Sequence, residues 1–104
     1  MEFNLRVVDV TGEEPNVVKF EGDVEAVLEI PLSRIGVKLD KGDAVRLVLS
    51  REKDADFKKY RVYMWGTVYY IGDGVTRISI GGLQLDIMRE LPLKVGEKVY
   101  IGLL

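Results

Sequence analysis

Turn-forming residues interrupt this chain so often that no helix of ordinary length fits between them. Thr11-Gly12-Glu13-Glu14-Pro15, Glu21-Gly22-Asp23, Pro31, Lys41-Gly42-Asp43, Ile71-Gly72-Asp73-Gly74 and Gly81-Gly82 each break an apolar run. The 91–98 connection, LPLKVGEK, does the same. Between the breaks the pattern has a period of two. In VEAVLEI (24–30), for example, Val24, Ala26, Leu28 and Ile30 alternate with Glu25 and Glu29, as on a strand with one buried face. Residues 3–10, 17–20, 44–50, 60–71, 75–80, 83–88 and 99–103 read as further strands, and 32–43 as irregular or holding one helical turn. The charged stretch REKDADFKK (51–59) reads as a mobile loop. Seven to eight short strands with no long helical stripe predict an all-β fold, a closed antiparallel barrel in which closure removes the edges. Gly66, midway along the longest strand, is expected to mark a bend or bulge there.

With 104 residues the chain makes one domain, 1–104, with room for a real core and no second one. It contains neither cysteine nor histidine. That removes disulfides, zinc held by Cys and His, thiol nucleophiles and the usual general base. No window approaches the roughly 18 apolar residues of a membrane span, and MEFNLRVVDV lacks the pattern of a secretory leader. A soluble protein that stays in the compartment where it is made, without membrane partners, is the expectation.

The stretch Tyr60–Gly74, YRVYMWGTVYYIGDG, holds five of the nine aromatic residues. Alternation puts Tyr60, Val62, Met64, Gly66, Val68 and Tyr70 on one side, and Tyr63, Trp65, Thr67, Tyr69 and Ile71 on the other. A barrel core needs only one apolar face. The second, with Tyr63, Trp65 and Tyr69, is open to three readings: a stacking platform for single-stranded nucleic acid, a protein interface anchored by aromatics, or a face covered by the protein's own segment 32–43.

Charge bears on the first of these. Residues 1–30 carry two basic and eight acidic side chains, whereas 31–61 carry nine basic and five acidic. The basic patch is local, around Arg51, Lys53, Lys58, Lys59 and Arg61. On a nucleic-acid platform Lys58, Lys59, Arg61 and Arg77 are the residues placed to meet phosphates. A net charge of −2 is not that of a protein working mainly by phosphate neutralisation. Catalytic material is sparse. Asp54 and Asp56, like Asp40 and Asp43, lie in turns beside lysines. Ser33, Ser50 and Ser79 have no histidine to activate them. IGDGVTRISIGG lacks the GK[ST] of a phosphate loop and reads as a hairpin and a bulge.

Three blocks carry a resemblance. Tyr63-Met64-Trp65-Gly66-Thr67-Val68-Tyr69-Tyr70-Ile71 is followed by Arg77-Ile78-Ser79-Ile80-Gly81-Gly82-Leu83, and then by Val95-Gly96-Glu97-Lys98-Val99-Tyr100-Ile101. In content and order they resemble the small RNA polymerase subunit eight, shared by the three eukaryotic nuclear polymerases, and its archaeal counterpart. Leu39–Leu49 and Phe3–Asp9 extend the similarity upstream with weaker motifs. Eukaryotic members carry a long acidic loop where this chain has only REKDADFKK, so the sequence is closer to the compact archaeal form.

The resemblance implies a barrel related to the oligonucleotide-binding fold, set at the periphery of a DNA-directed RNA polymerase. It implies docking on the largest catalytic subunit, with no catalytic residue, cofactor or obligate homo-oligomer. Direct contact with nucleic acid is not expected, and the compartment would be the archaeal cytoplasm, or the nucleus in a eukaryotic host. Tyr63, Trp65, Tyr69, Gly81, Gly82 and Leu83 are then the candidate partner-binding residues. A free-standing single-strand nucleic-acid-binding barrel is the alternative.

Overall fold

A computed structural model describes all residues from Met1 to Leu104. Eight strands form one closed antiparallel barrel: β1 (Glu2–Thr11), β2 (Asn16–Gly22), β3 (Ala26–Ile30), β4 (Ala44–Ser50), β5 (Val62–Gly72), β6 (Val75–Ile80), β7 (Leu83–Ile87) and β8 (Lys98–Leu103). Around the barrel the order is β1-β2-β3-β7-β6-β5-β8-β4, and β4 returns to β1. Two meanders, β1–β2–β3 and β5–β6–β7, therefore meet at the β3–β7 seam, while β8 and β4 close the other side. The single α-helical turn, α1 (Leu32–Ile35), and a 3-10 turn (Phe57–Lys59) lie in the connections. No helix is long and apolar enough to cross a membrane.

The period of two read from the sequence fills the interior. Phe3, Leu5 and Val7 of β1, Leu28 and Ile30 of β3, Val45, Leu47 and Leu49 of β4, and Val99, Ile101 and Leu103 of β8 point into one cluster of 23 buried residues. Each fully buried aliphatic side chain contributes about 1.5–3 kcal/mol relative to exposure. Thr76 is the one buried polar side chain. Its hydroxyl donates to Arg89 O (2.7 Å) and accepts from Leu91 N–H (2.9 Å), tying the β7–β8 connection to the wall. Both tight hairpins use residues at positive φ, Asp73-Gly74 between β5 and β6 and Gly81-Gly82 between β6 and β7, as two-residue turns require.

The long strand departs from the simple alternation in three places. The register slips between Val68 and Tyr70, so a bulge sits there and not at Gly66. Beyond it Tyr69 and Tyr70 are both exposed and Ile71 packs against the core, which overturns the expected placement of Tyr70 inside and Ile71 outside. Gly66 has a different role: a Cβ there would lie 2.6 Å from Ser79 O and 2.7 Å from Ile78 Cγ2. β5 and β6 approach too closely at that point for any side chain. Tyr60 precedes β5 and lies outside the barrel, because its ring occupies the space above Gly102. The inner positions Val62, Met64, Gly66 and Val68 follow the alternation.

Candidate functional site

On the outer wall β5 runs beside β8, with Trp65 opposite Tyr100, Tyr63 opposite Gly102 and Thr67 opposite Lys98. Directly opposed and diagonal side chains on one face of such a ladder touch. Tyr63 and Tyr100 lie nearly parallel, with ring centroids 6.1 Å apart at 9°. Tyr60 and Phe57 add rings at 5.1 and 6.0 Å from Tyr63. Offset pairs of this kind contribute about 0.5–1.5 kcal/mol each beyond the area they bury. Gly102 makes the arrangement possible, since its missing side chain leaves the seat for Tyr60. Lys98 Nζ stands 4.4 Å from the Trp65 ring centroid and 5.2 Å from that of Tyr100. Trp65 itself is 55% exposed.

The segment after β4 clasps this ladder. Tyr63 Oη accepts from Asp54 N–H (2.8 Å), and Tyr60 Oη donates to Asp54 Oδ2 (2.8 Å). Lys59 Nζ lies 3.1 Å from the same carboxylate, and Asp56 N–H donates to Asp54 Oδ1 (2.9 Å). The Asp56 N–H, then Tyr60 and Lys59, hold the Asp54 carboxyl below its ordinary pKa. The same carboxylate raises the pKa of Lys59 and of Tyr60. The stretch 51–59 is thus pinned to the wall by Asp54, against the expectation of a mobile loop. Phe57 of this segment, with Tyr60 just after it, covers part of the second aromatic face, whereas 32–43, the cover in the third reading, only borders Tyr63 across a cleft through Ile35 and Val37.

No protein-family model matches the chain, and no curated protein does.

The candidate residues fall into separate groups. Tyr63 belongs to the ring stack, whereas Trp65, exposed and in no ring pair, joins it only through Lys98; Tyr69, beyond the bulge, is exposed and in neither arrangement. Gly81 and Gly82 form the turn that ends β6, and Leu83 starts β7. Leu83 lines a cleft of about 380 Å³ together with Tyr63 and Met64, so the structure brings this turn to the flank of β5. A Cβ on either glycine meets nothing within 4 Å, while φ is +57° and +95°. A side chain at the glycine pair thus meets no clash, and the constraint there is backbone conformation.

The basic residues do not form one patch. Lys59 is held by Asp54 and lies over the Tyr60 ring. Arg51 pairs with Glu97 (2.6 Å) and donates to Pro92 O. Arg61 reaches Ala44 O (3.3 Å). Lys58 is exposed, and Arg77 stands over Tyr70, one strand away, opposite Asp86. No cluster of three or more Asp and Glu side chains is arranged to hold a metal. Residue-by-residue reading missed Lys98, Tyr100 and Gly102, whose alternation along β8 was visible but whose neighbour across the barrel was not.

Proposed function

We propose that the chain is a non-catalytic, peripheral subunit of a multisubunit DNA-directed RNA polymerase, a barrel related to the oligonucleotide-binding fold that docks on the largest catalytic subunit and supports assembly. The ordered sequence blocks of β5, β6–β7 and β8 motivate the polymerase. The observation that supports a protein interface is the exposure of Trp65 beside a fixed aromatic ladder. An exposed indole on a regular strand, with Lys98 over its ring, is the kind of side chain that anchors a protein interface.

The same wall suits a nucleic-acid platform less well. Base stacking needs open ring faces with cations nearby. Tyr63 is hemmed in by three rings, Lys98 is over Trp65, and Lys59 and Arg51 are already paired with Asp54 and Glu97. The deciding experiment is affinity recovery of the tagged chain from its native lysate at moderate salt with nuclease present. Stoichiometric recovery of the large polymerase subunits is expected. Their absence, with salt-dependent binding of the purified chain to an oligonucleotide, would make it a free-standing nucleic-acid-binding barrel instead.

A further inference from the structure

The hydrogen-bond pattern of β5 leaves part of one edge without a partner strand. Val68 N–H donates to Glu97 O (2.9 Å) and Val68 O accepts from Gly96 N–H (2.7 Å), so Val68 faces the β8 side. Main-chain groups of an antiparallel strand alternate in direction from residue to residue. Gly66, Met64 and Val62 therefore face β8 too, while Thr67, Trp65 and Tyr63 face the β6 side. Thr67 finds Ser79 there. β6 stops at Ile80 and the chain turns away at Gly81-Gly82, although continued pairing would have set Gly81 opposite Trp65 and Leu83 opposite Tyr63. The N–H and C=O of Tyr63 and Trp65 consequently point where no strand runs, and no side chain bonds to them.

The space they face is the cleft of about 380 Å³, walled by Ile35, Val37, Met64 and Leu83 and bordered by Pro31. Ile35 is 44% exposed. Exposed strand edges are commonly blunted by lysine, proline or a covering element; here the two edge positions are tyrosine and tryptophan, and the cleft beside them is mainly apolar, with Glu29 and Arg61 also in its lining.

We propose that this edge takes up an extended segment of another polypeptide as an added strand, of about four residues at roughly 3.3 Å each. Its main chain pairs with Tyr63 and Trp65, and its alternate side chains, apolar and β-branched, enter the cleft. A second copy of this barrel is not the occupant. Around the closed barrel every strand of a second copy already has a neighbour on both sides, so the copy has no strand to add except this same short edge, which α1 and the β6–β7 turn flank. A free extended segment has its whole main chain to offer. The proposal deepens the docking-subunit reading and rests on it for the existence of a protein partner.

The test uses the full chain and a displayed library of random nonapeptides. Peptides alternating in β-branched residues are expected to be enriched. In the complex the amides of Tyr63 and Trp65, fast-exchanging in the free protein, become protected from hydrogen exchange. Because Trp65 N–H faces away from β8, proline at this position removes no barrel hydrogen bond. Trp65→Pro is therefore expected to bind the selected peptide at least tenfold more weakly than Trp65→Val, which also lacks the indole but keeps the N–H. Equal binding by the two variants overturns the proposal. So does a complex in which the two amides still exchange at the free rate, or a library that yields no binder. The lysate recovery is scored separately, so loss of the polymerase and loss of the added strand are distinct results.

Discussion

Tyr60 sits where the side chain of residue 102 would otherwise be: a Cβ built on Gly102 would come within 2.5 Å of Tyr60 Cδ1. This contact joins the clasp after β4 to the wall formed by β5 and β8. Gly102→Ala is expected to displace the ring, since the backbone of β8 is fixed by pairing on both sides. The cost should be about 1–3 kcal/mol, the range for inserting atoms into packed space. Urea unfolding measures it, and loss of tyrosine near-ultraviolet dichroism reports the lost stack. A variant of unchanged stability with an intact tyrosine signal would refute the arrangement.

Asp54 gives the clasp a pH window. Its folded pKa lies below the ordinary 3.8. The stability it adds is complete above that value and is lost as pH falls through the folded pKa. Lys59 and Tyr60 are raised above 10.5 and 10.0, so their contributions are complete below those values and are lost as pH rises through the folded ones. The tyrosine dichroism should hold steady between these limits and change at both ends. In Asp54→Ala the acid transition should disappear, together with much of the amplitude, and the alkaline one should begin at lower pH because Tyr60 and Lys59 lose the carboxylate that raises them. A titration identical to that of the parent would show that Asp54 does not hold the clasp.

Two glycines on or beside β5 should fail for different reasons. Gly66→Ala places a Cβ 2.6 Å from the backbone oxygen of Ser79, which no side-chain rotation relieves. A loss of about 3 kcal/mol, the upper end for overpacking, is expected. Gly82→Val meets open space but must hold a β-branched residue at φ +95°, a strain of about 1–3 kcal/mol. Relaxing residue 82 shifts the turn without touching the β5–β6 contact. Chemical shifts of Ser79 should therefore move in the first variant and stay in place in the second.

Trp65→Ala should leave the barrel folded, because the indole is exposed and contributes little to the core. Its urea midpoint should lie close to the parent's. Recovery of the proposed polymerase partner should weaken by about 2 kcal/mol or more, as for a central interface anchor. Unfolding of the isolated variant would place the indole in the core; undiminished recovery would remove it from the interface.

Much of this was legible along the chain. The strands at 44–50 and 75–80 were read to the residue, because apolar alternation and flanking turn residues act over a few positions and need no partner. The apolar filling of the barrel follows from the same alternation. What failed did so where distant elements meet. Tyr70 was assigned to the wrong face because one extra residue in β5 reverses everything beyond it, and bulges leave no reliable mark in composition. Gly81-Gly82 was legible as a break between two strands, but it read as a bulge and is a two-residue turn.

By itself, the sequence determined the class of fold, the interior face of each regular strand, and the lack of thiol and imidazole chemistry. These depend on side-chain type and on a backbone period that is the same in any strand. Tertiary structure decided which strands are neighbours. β8 lies beside β5 although more than two dozen residues separate them, and only that pairing sets Tyr100 against Tyr63, Lys98 over Trp65 and Gly102 beneath Tyr60. It also decided where pairing stops. An unpaired edge at Tyr63 and Trp65 is a fact about β6 ending early and turning away, a matter of register between strands that no local pattern encodes.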